Sequence, residues 1–229
     1  MSISQKNKIM LKEDTLKFLL ELKKNNNREW FTENKSWYER ARKDVELLVG
    51  EMALKIATFN PEIGHIDPKK CLFRIYRDVR FSQDKSPYKT HFGAIFRART
   101  ADQASGYYMH IDPEELFLSL GYYMLDGTQL KKIRRGIYED FDTFSDILND
   151  KSFKQEIGDL YRDEDTLQRV PNGFDKNHPA AEYLKLKRFY VCKPISKEQL
   201  LSEDFAEYAA KIYKIMHPLG EFLSDIVNE

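Results

Sequence analysis

Residues 90–99, THFGAIFRAR, residues 105–112, SGYYMHID, and residues 115–124, ELFLSLGYYM, decide the fold. Each alternates its side chains with a period of two and is rich in aromatic and β-branched residues. Residues 71–76, CLFRIY, have the same character. The joins are too short for helical crossovers, so the spacing predicts an antiparallel meander. One face then carries Phe92, Ala94, Phe96, Tyr107, Met109, Ile111, Leu116, Leu118 and Leu120. The other carries Arg74 and Tyr76, then His91, Ile95 and Arg97, then Tyr108 and His110, then Ser119, Gly121 and Tyr123. The small residues Ser119 and Gly121 leave room for a ligand or another backbone. A single bulge would turn part of this pattern over.

Helices flank the meander. Residues 15–24 set Leu16, Leu19, Leu20 and Lys23 at helical spacing, and Asn25, Asn26 and Asn27 stop that helix. Asn26 with Glu29 forms an N-x-x-E cap for a long helix from 28 to about 58. Its seam runs Trp30, Trp37, Ala41, Val45, Leu48, Met52 and Ile56, and Asn60-Pro61 ends it. Further helices are expected over 128–139, in short acidic pieces over 141–158, and after His178-Pro179. Residues 187–192 read as one more strand, and Ser196 with Gln199 as a capping box. The last helix spans 203–226, with Pro218 expected to break or kink it after Met216. No Gly-, Ser- or Pro-rich linker divides the chain. Residues 12–229 are therefore expected to form a single α+β domain behind a loosely ordered N-terminus, 1–11.

The 229 residues hold 37 Lys+Arg and 37 Asp+Glu, with 41% hydrophobic side chains. That balance excludes a collagenous or disordered chain and argues against a globally basic nucleic-acid binder. Cys71 and Cys192 stand far apart and in no metal-ligand spacing. The N-terminal stretch has no apolar core and no run approaches 18 apolar residues, so a reduced cytoplasmic protein with no membrane partner is expected. There is no GxSxG, P-loop, GxGxxG or HRD motif, and no cofactor is expected. Charge is nevertheless polarised: residues 69–100 carry a net +7, residues 101–130 a net −5, and residues 139–168 a net −7. Such blocks point to a basic patch facing acidic ones.

The basic block contains FRIYRDVRFSQDKSPYKTHF, residues 73–92. The turn Asp84-Lys85-Ser86-Pro87 folds it back, bringing Lys89 and His91 beside Arg74 or Arg77. Cations held close repel one another unless an anion or a carboxylate neutralises them. One reading is therefore a site for a phosphorylated or other anionic ligand, made by Arg74, Arg77, Arg80, Lys85, Lys89 and His91. Tyr76, Tyr108 and His110 would line the same face, and hydrolysis or group transfer is the extension of that reading. The alternative is a structural or interaction module in which Arg77 and Arg80 pair with Asp78, Asp84 or the acidic segments downstream. A local nucleic-acid surface is a third reading, against which the acidic blocks count. His91 and His110 could pair on a metal or as acid and base. No HxH or HExxH motif is present, the neighbourhood is cationic, and His110-Ile111-Asp112 is a two-ligand fragment, so no metal is expected. His178 fits helix-start chemistry, His65 and His217 surface or packing positions, and Trp30, Phe31, Trp37 and Tyr38 helix packing.

Several of these stretches also resemble a family. Asn25 to Phe31, Asn34-Lys35 and Tyr38 are similar to the opening of a widespread family of uncharacterised proteins, a domain of unknown function. Arg74 to Ser82 and Asp84 to His91 are similar to its most recognisable stretch. Gly106 to Ile111, Arg169 to Asp175 and His178 to Ala181 resemble later pieces. The resemblance runs over roughly 12–226 and implies a one-domain protein. It sets Asn27, Arg28, Glu29, Trp30 and Asn34 beside the basic segment as recurring motif pieces, and it implies no established activity.

Overall fold

A computed structural model describes residues 9–97 and 106–229. Most of the expected loose N-terminus, residues 1–8, lies outside the described residues, as do Ala98, Arg99 and Ser105 at the ends of two expected strands. Helix α1 (Glu13–Lys24) begins with Glu13 and Asp14 and ends with Lys23 and Lys24, charges that suit the helix dipole. Asn27, not Asn26, caps α2 (Arg28–Glu33), its side chain accepting from Trp30 N at 2.9 Å. The expected single helix from 28 to 58 is interrupted at Asn34, whose Nδ2 donates to Trp30 O at 2.9 Å, and α3 (Lys35–Ile56) starts after it. A short amide side chain competes for backbone groups, which is why Asn sits at the break. A 3-10 turn (Pro61–His65) and the short α4 (Pro68–Cys71) follow.

Strands β1 (Phe92–Phe96), β2 (Tyr107–Asp112), β3 (Glu115–Tyr122) and β4 (Phe189–Pro194) form one antiparallel sheet in the order β1-β2-β3-β4. Alternation holds in β2 and for most of the rest: Phe92, Ala94, Phe96, Tyr107, Met109, Ile111, Leu118 and Leu120 are buried, and Tyr108 and His110 are half-buried. In β3 it lapses, Leu116 being only half-buried and Ser119 of the other face buried. Residues 71–76 are not a strand. Cys71 ends α4, and the extended segment after it touches the segment before β1 at two bridges, Leu72 with Ala94 and Tyr76 with Tyr88. Four steps on one side face six on the other, so the surplus interrupts the ladder as a bulge.

The remaining helices are α5 (Gly127–Glu139), α6 (Phe141–Asn149), α7 (Lys151–Glu156), α8 (Ala181–Leu184), α9 (Lys197–Leu200) and α10 (Phe205–Asn228). Asp126 with Gln129 and Ser196 with Gln199 make full capping boxes. Helix α10 runs through Pro218 without the expected break. Met216, Leu219 and Leu223 are fully buried around it, and that packing outweighs the one hydrogen bond that proline cannot make.

The chain forms two compact units. One takes the described residues to Phe96 with 108–118 and 194–211; the other takes 119–193 and 212–229 with Arg97, Gly106 and Tyr107. In the first, α3 packs on α1, α2, α4 and β1 through Val45, Leu48, Met52 and Ile56. Phe18 of α1 meets Trp30, Trp37, Tyr38 and Phe92 with ring centroids 5.7–6.4 Å apart. In the second, α5 packs on α6 and α8. There Gly121 answers the question of what its small size makes room for, since another backbone fills the space. A Cβ on it would lie 2.3 Å from Phe189 O, and its φ of +128° is one that side chains rarely adopt. Gly121→Ala is expected to destabilise the protein by about 2–5 kcal/mol, the sum of strain and overpacking, measured by urea unfolding.

Candidate functional site

The basic segment is anchored through Tyr88. Asn26 Nδ2 donates to Tyr88 O at 2.9 Å, and Tyr88 N donates to Asn26 Oδ1 at 3.1 Å. Phe31 stacks on the Tyr88 ring with centroids 3.9 Å apart, and Tyr76 packs on both rings. Tyr76 thus belongs to this aromatic joint, and the role of Asn26 was hidden because its sequence context suggests a cap.

Within the loop, three of the predicted cations have intramolecular partners. Arg77 Nη1 pairs with Asp84 and also donates to Ser86 O at 3.2 Å, while Nη2 reaches Ser82 Oγ at 3.4 Å. Arg80 forks onto Asp78, with Nε at 3.0 Å and Nη2 at 2.6 Å. Lys85 Nζ donates to Val79 O at 3.0 Å. Hydrogen bonds from Ser86 and then Arg77 hold the Asp84 carboxyl well below the usual carboxylate range, and Arg80 does the same for Asp78. The acidic block 139–168 finds bases elsewhere: Asp163 and Asp165 hold Arg188, and Glu156 takes Lys193 at 3.1 Å.

Arg74 and Lys89 differ. Arg74 is exposed and has no hydrogen bond or ion pair among the described residues. Lys89 is half-buried, with Nζ 5.3 Å from the Phe73 ring centroid and no carboxylate in ion-pair contact among the described residues. Burial, and then the Arg74 charge, push its pKa down.

Beside Lys89 lies a polar cluster. Antiparallel pairing sets the residue before β1 near the end of β2, and period-two alternation puts Tyr108, His110 and Asp112 on one face. The rings of His91 and His110 are 4.3 Å apart. Ligand atoms from His91, His110 and Asp112, one each, all lie within 4.8 Å of one another. Tyr108 Oη is 2.9 Å from His110 Nδ1, and Phe117 stacks on the His110 ring at 4.8 Å. Thr90 Oγ1 reaches Asp112 Oδ2 at 3.4 Å, and Glu114 N donates to Asp112 Oδ1 at 3.0 Å. Gly93 makes this possible, because a Cβ there would lie 2.7 Å from Tyr108 Oη. Burial, then the neighbouring His110 and Lys89, push His91 down to about 4, and burial lowers His110 as well. Both rings are therefore neutral at pH 7. The sequence named both histidines and took His110-Ile111-Asp112 as a two-ligand fragment; it did not show that the fold brings His91 to that fragment as a third donor. A separate groove is lined by Lys12, Ser36, Glu39, Arg40, Lys43, Asp44 and Leu47. Its buried Asp44 is already satisfied by Lys12 N and Thr15 Oγ1, each at 2.7 Å.

A family model described as a conserved hypothetical protein family, DUF2461, matches residues 14–222. The chain belongs to the DUF2461 family. No curated protein and no solved structure matches it. In this DUF2461 protein the segment around Asn26 and the basic segment, separate in sequence, meet at Tyr88. No helix among the described residues is long and apolar enough to cross a membrane.

The two kinds of arginine should separate on mutation. Arg77→Ala removes contacts to three partners and is expected to lower the melting temperature by several degrees and expose the 77–88 loop to proteolysis. Arg74→Ala, at an exposed position with no hydrogen bond or ion pair among the described residues, is expected to change stability by less than about 0.5 kcal/mol. Thermal unfolding and limited proteolysis of the two variants check this.

Proposed function

We propose that this protein binds an anionic small molecule, a phosphate ester or a carboxylate, through Arg74 and Lys89 with His91 beside them. The observation that carries the reading is the contrast inside one segment. Arg77 and Arg80 are each in ion-pair contact with an aspartate, whereas Arg74, which feels the Asp78 charge only at longer range, and Lys89 make no ion pair among the described residues and act on each other. An anion between them replaces repulsion with two attractions, and the guanidinium fork suits two oxygens at once. Half-burial of Lys89 strengthens its interaction with such a ligand, since screening by water is weaker there.

A second reading draws on the paired arginines. Arg77–Asp84 and Arg80–Asp78 stiffen the loop, and Phe81 stands on it 95% exposed. That arrangement supports an interaction module, in which the loop presents an aromatic side chain to another protein.

The test is thermal unfolding with and without inorganic phosphate, sugar phosphates, nucleotides and dicarboxylates. A ligand that binds only the native state stabilises it by about 2.7 kcal/mol at a hundredfold excess over Kd. The wild type and Arg80→Ala should show such a rise, and Lys89→Met and Arg74→Ala should lose it. No rise for the wild type with any of these anions, or a rise that survives in Lys89→Met, rejects the anion site and leaves the interaction reading.

A further inference from the structure

We propose that His91, His110 and Asp112 form a binding site for a divalent first-row transition-metal ion, of which Zn2+ is the probe. The inference rests on a different observation from the anion reading, which concerns Arg74 and Lys89. Three donors from two neighbouring strand positions and the bulge converge: their ligand atoms lie within 4.8 Å of one another. Donors bound at ~2.0–2.2 Å from one tetrahedral ion are separated by ~3.4 Å. Side-chain rotation of about an ångström closes that difference, so the backbone already holds the three within reach of a single ion.

The donor types select the ion. Two imidazoles and one carboxylate suit zinc, iron(II) and their neighbours, whereas magnesium and calcium take mostly oxygen ligands. Three protein donors also leave positions open for water or a substrate oxygen, as in catalytic rather than closed structural sites.

The surroundings of the donors match what metal ligands need. With Nδ1 protonated, His110 donates to Tyr108 Oη across 2.9 Å, which fixes the ring and leaves Nε2 as its free donor. Phe117 lies parallel to the same ring, with an interplanar angle of 7°. Thr90 Oγ1 and Glu114 N steady the Asp112 carboxylate. Gly93 keeps the space that Tyr108 Oη occupies. A ligating side chain held by outer partners of this kind is pre-oriented for the ion.

The objection raised by the sequence, a cationic neighbourhood, weakens in the folded chain. Arg77 and Arg80 are paired with Asp84 and Asp78. Around the donors the carboxylates of Asp112, Glu114 and Glu115 face the charges of Lys89 and Lys23, and Lys23 is itself paired with Glu114. The local field around the donors therefore does not exclude a cation.

The experiment is isothermal titration of the chelator-treated full chain with Zn2+ in buffer free of phosphate and carboxylates, so that its outcome is separate from the anion test. One ion per chain with a micromolar or tighter Kd is expected. His91→Gln, His110→Gln and Asp112→Asn should each weaken binding at least tenfold, and Tyr108→Phe, a positioning change, about tenfold. A measurement on the wild type guards against variants that fail to fold. Substoichiometric paramagnetic Co2+ should broaden the imidazole proton resonances of His91 and His110 and spare those of His65 and His178. Absence of one-to-one binding, an affinity unchanged in the three ligand variants, binding lost in Cys192→Ser instead, or broadening centred on other histidines overturns the proposal.

Discussion

The side-chain amide of Asn26 is the joint on which the first unit depends. It offers a donor and an acceptor to the two backbone groups of Tyr88, at 2.9 and 3.1 Å, and so behaves like one residue of a neighbouring strand. Among uncharged side chains, only Asn and Gln carry a carbonyl and an amino group side by side in this way. Asn26 sits in the corner between α1 and α2, and through it that corner holds the basic segment. Phe31, stacked on the Tyr88 ring, shields the joint, and shielding from water strengthens hydrogen bonds made inside it.

Fixing Tyr88 has consequences along the chain. Its bridge to Tyr76 and the bridge of Leu72 to Ala94 leave six steps to be matched with four. Regular pairing cannot absorb the difference, so the residues between 88 and 94 bulge and β1 starts only at Phe92. Backbone bonds at either end, Lys89 N to Ile75 O and Phe73 N to Gly93 O, hold the bulge in place. Lys89 and His91 lie within it. The bulge thereby brings His91 to His110 and Asp112 on β2, and the absent side chain of Gly93 admits the Tyr108 hydroxyl that orients His110.

Electrostatics divides the same segment into two parts. Asp78 and Asp84 neutralise Arg80 and Arg77 over short loops, where little chain entropy opposes the pairing. These bridges are largely exposed, so their main effect is to set loop geometry rather than to add stability. Arg74 and Lys89 make no such pair among the described residues: Arg74 feels the Asp78 charge only at longer range, and its repulsion of Lys89 persists. The large acidic block serves its own unit, through Arg188 and Lys193. A block of charge in sequence is therefore a poor guide to where a field remains after folding.

Most of the period-two alternation in β1, β2 and β3, helical seams such as Val45, Leu48, Met52 and Ile56, and local caps such as Ser196 with Gln199 were legible in the sequence. Each depends on residues a few positions apart, and burial of one face enforces the pattern. The histidine pair was visible as two residues on one expected sheet face. The strand expected at 71–76, the unbroken helix from 28 to 58 and the cap at Asn26 were misread, and α10 does not end at Pro218. Asn34 breaks the long helix locally through its bond to Trp30 O, whereas a distant partner or the surrounding core decides the others. Asn26 binds Tyr88, 62 positions away, and buried neighbours carry α10 through its proline. Local periodicity by itself determined an antiparallel sheet between helices and a basic segment of defined length. Only the tertiary structure decided which cations kept a free charge and which residues joined His91, since both depend on a bulge whose register is set by contacts remote in sequence.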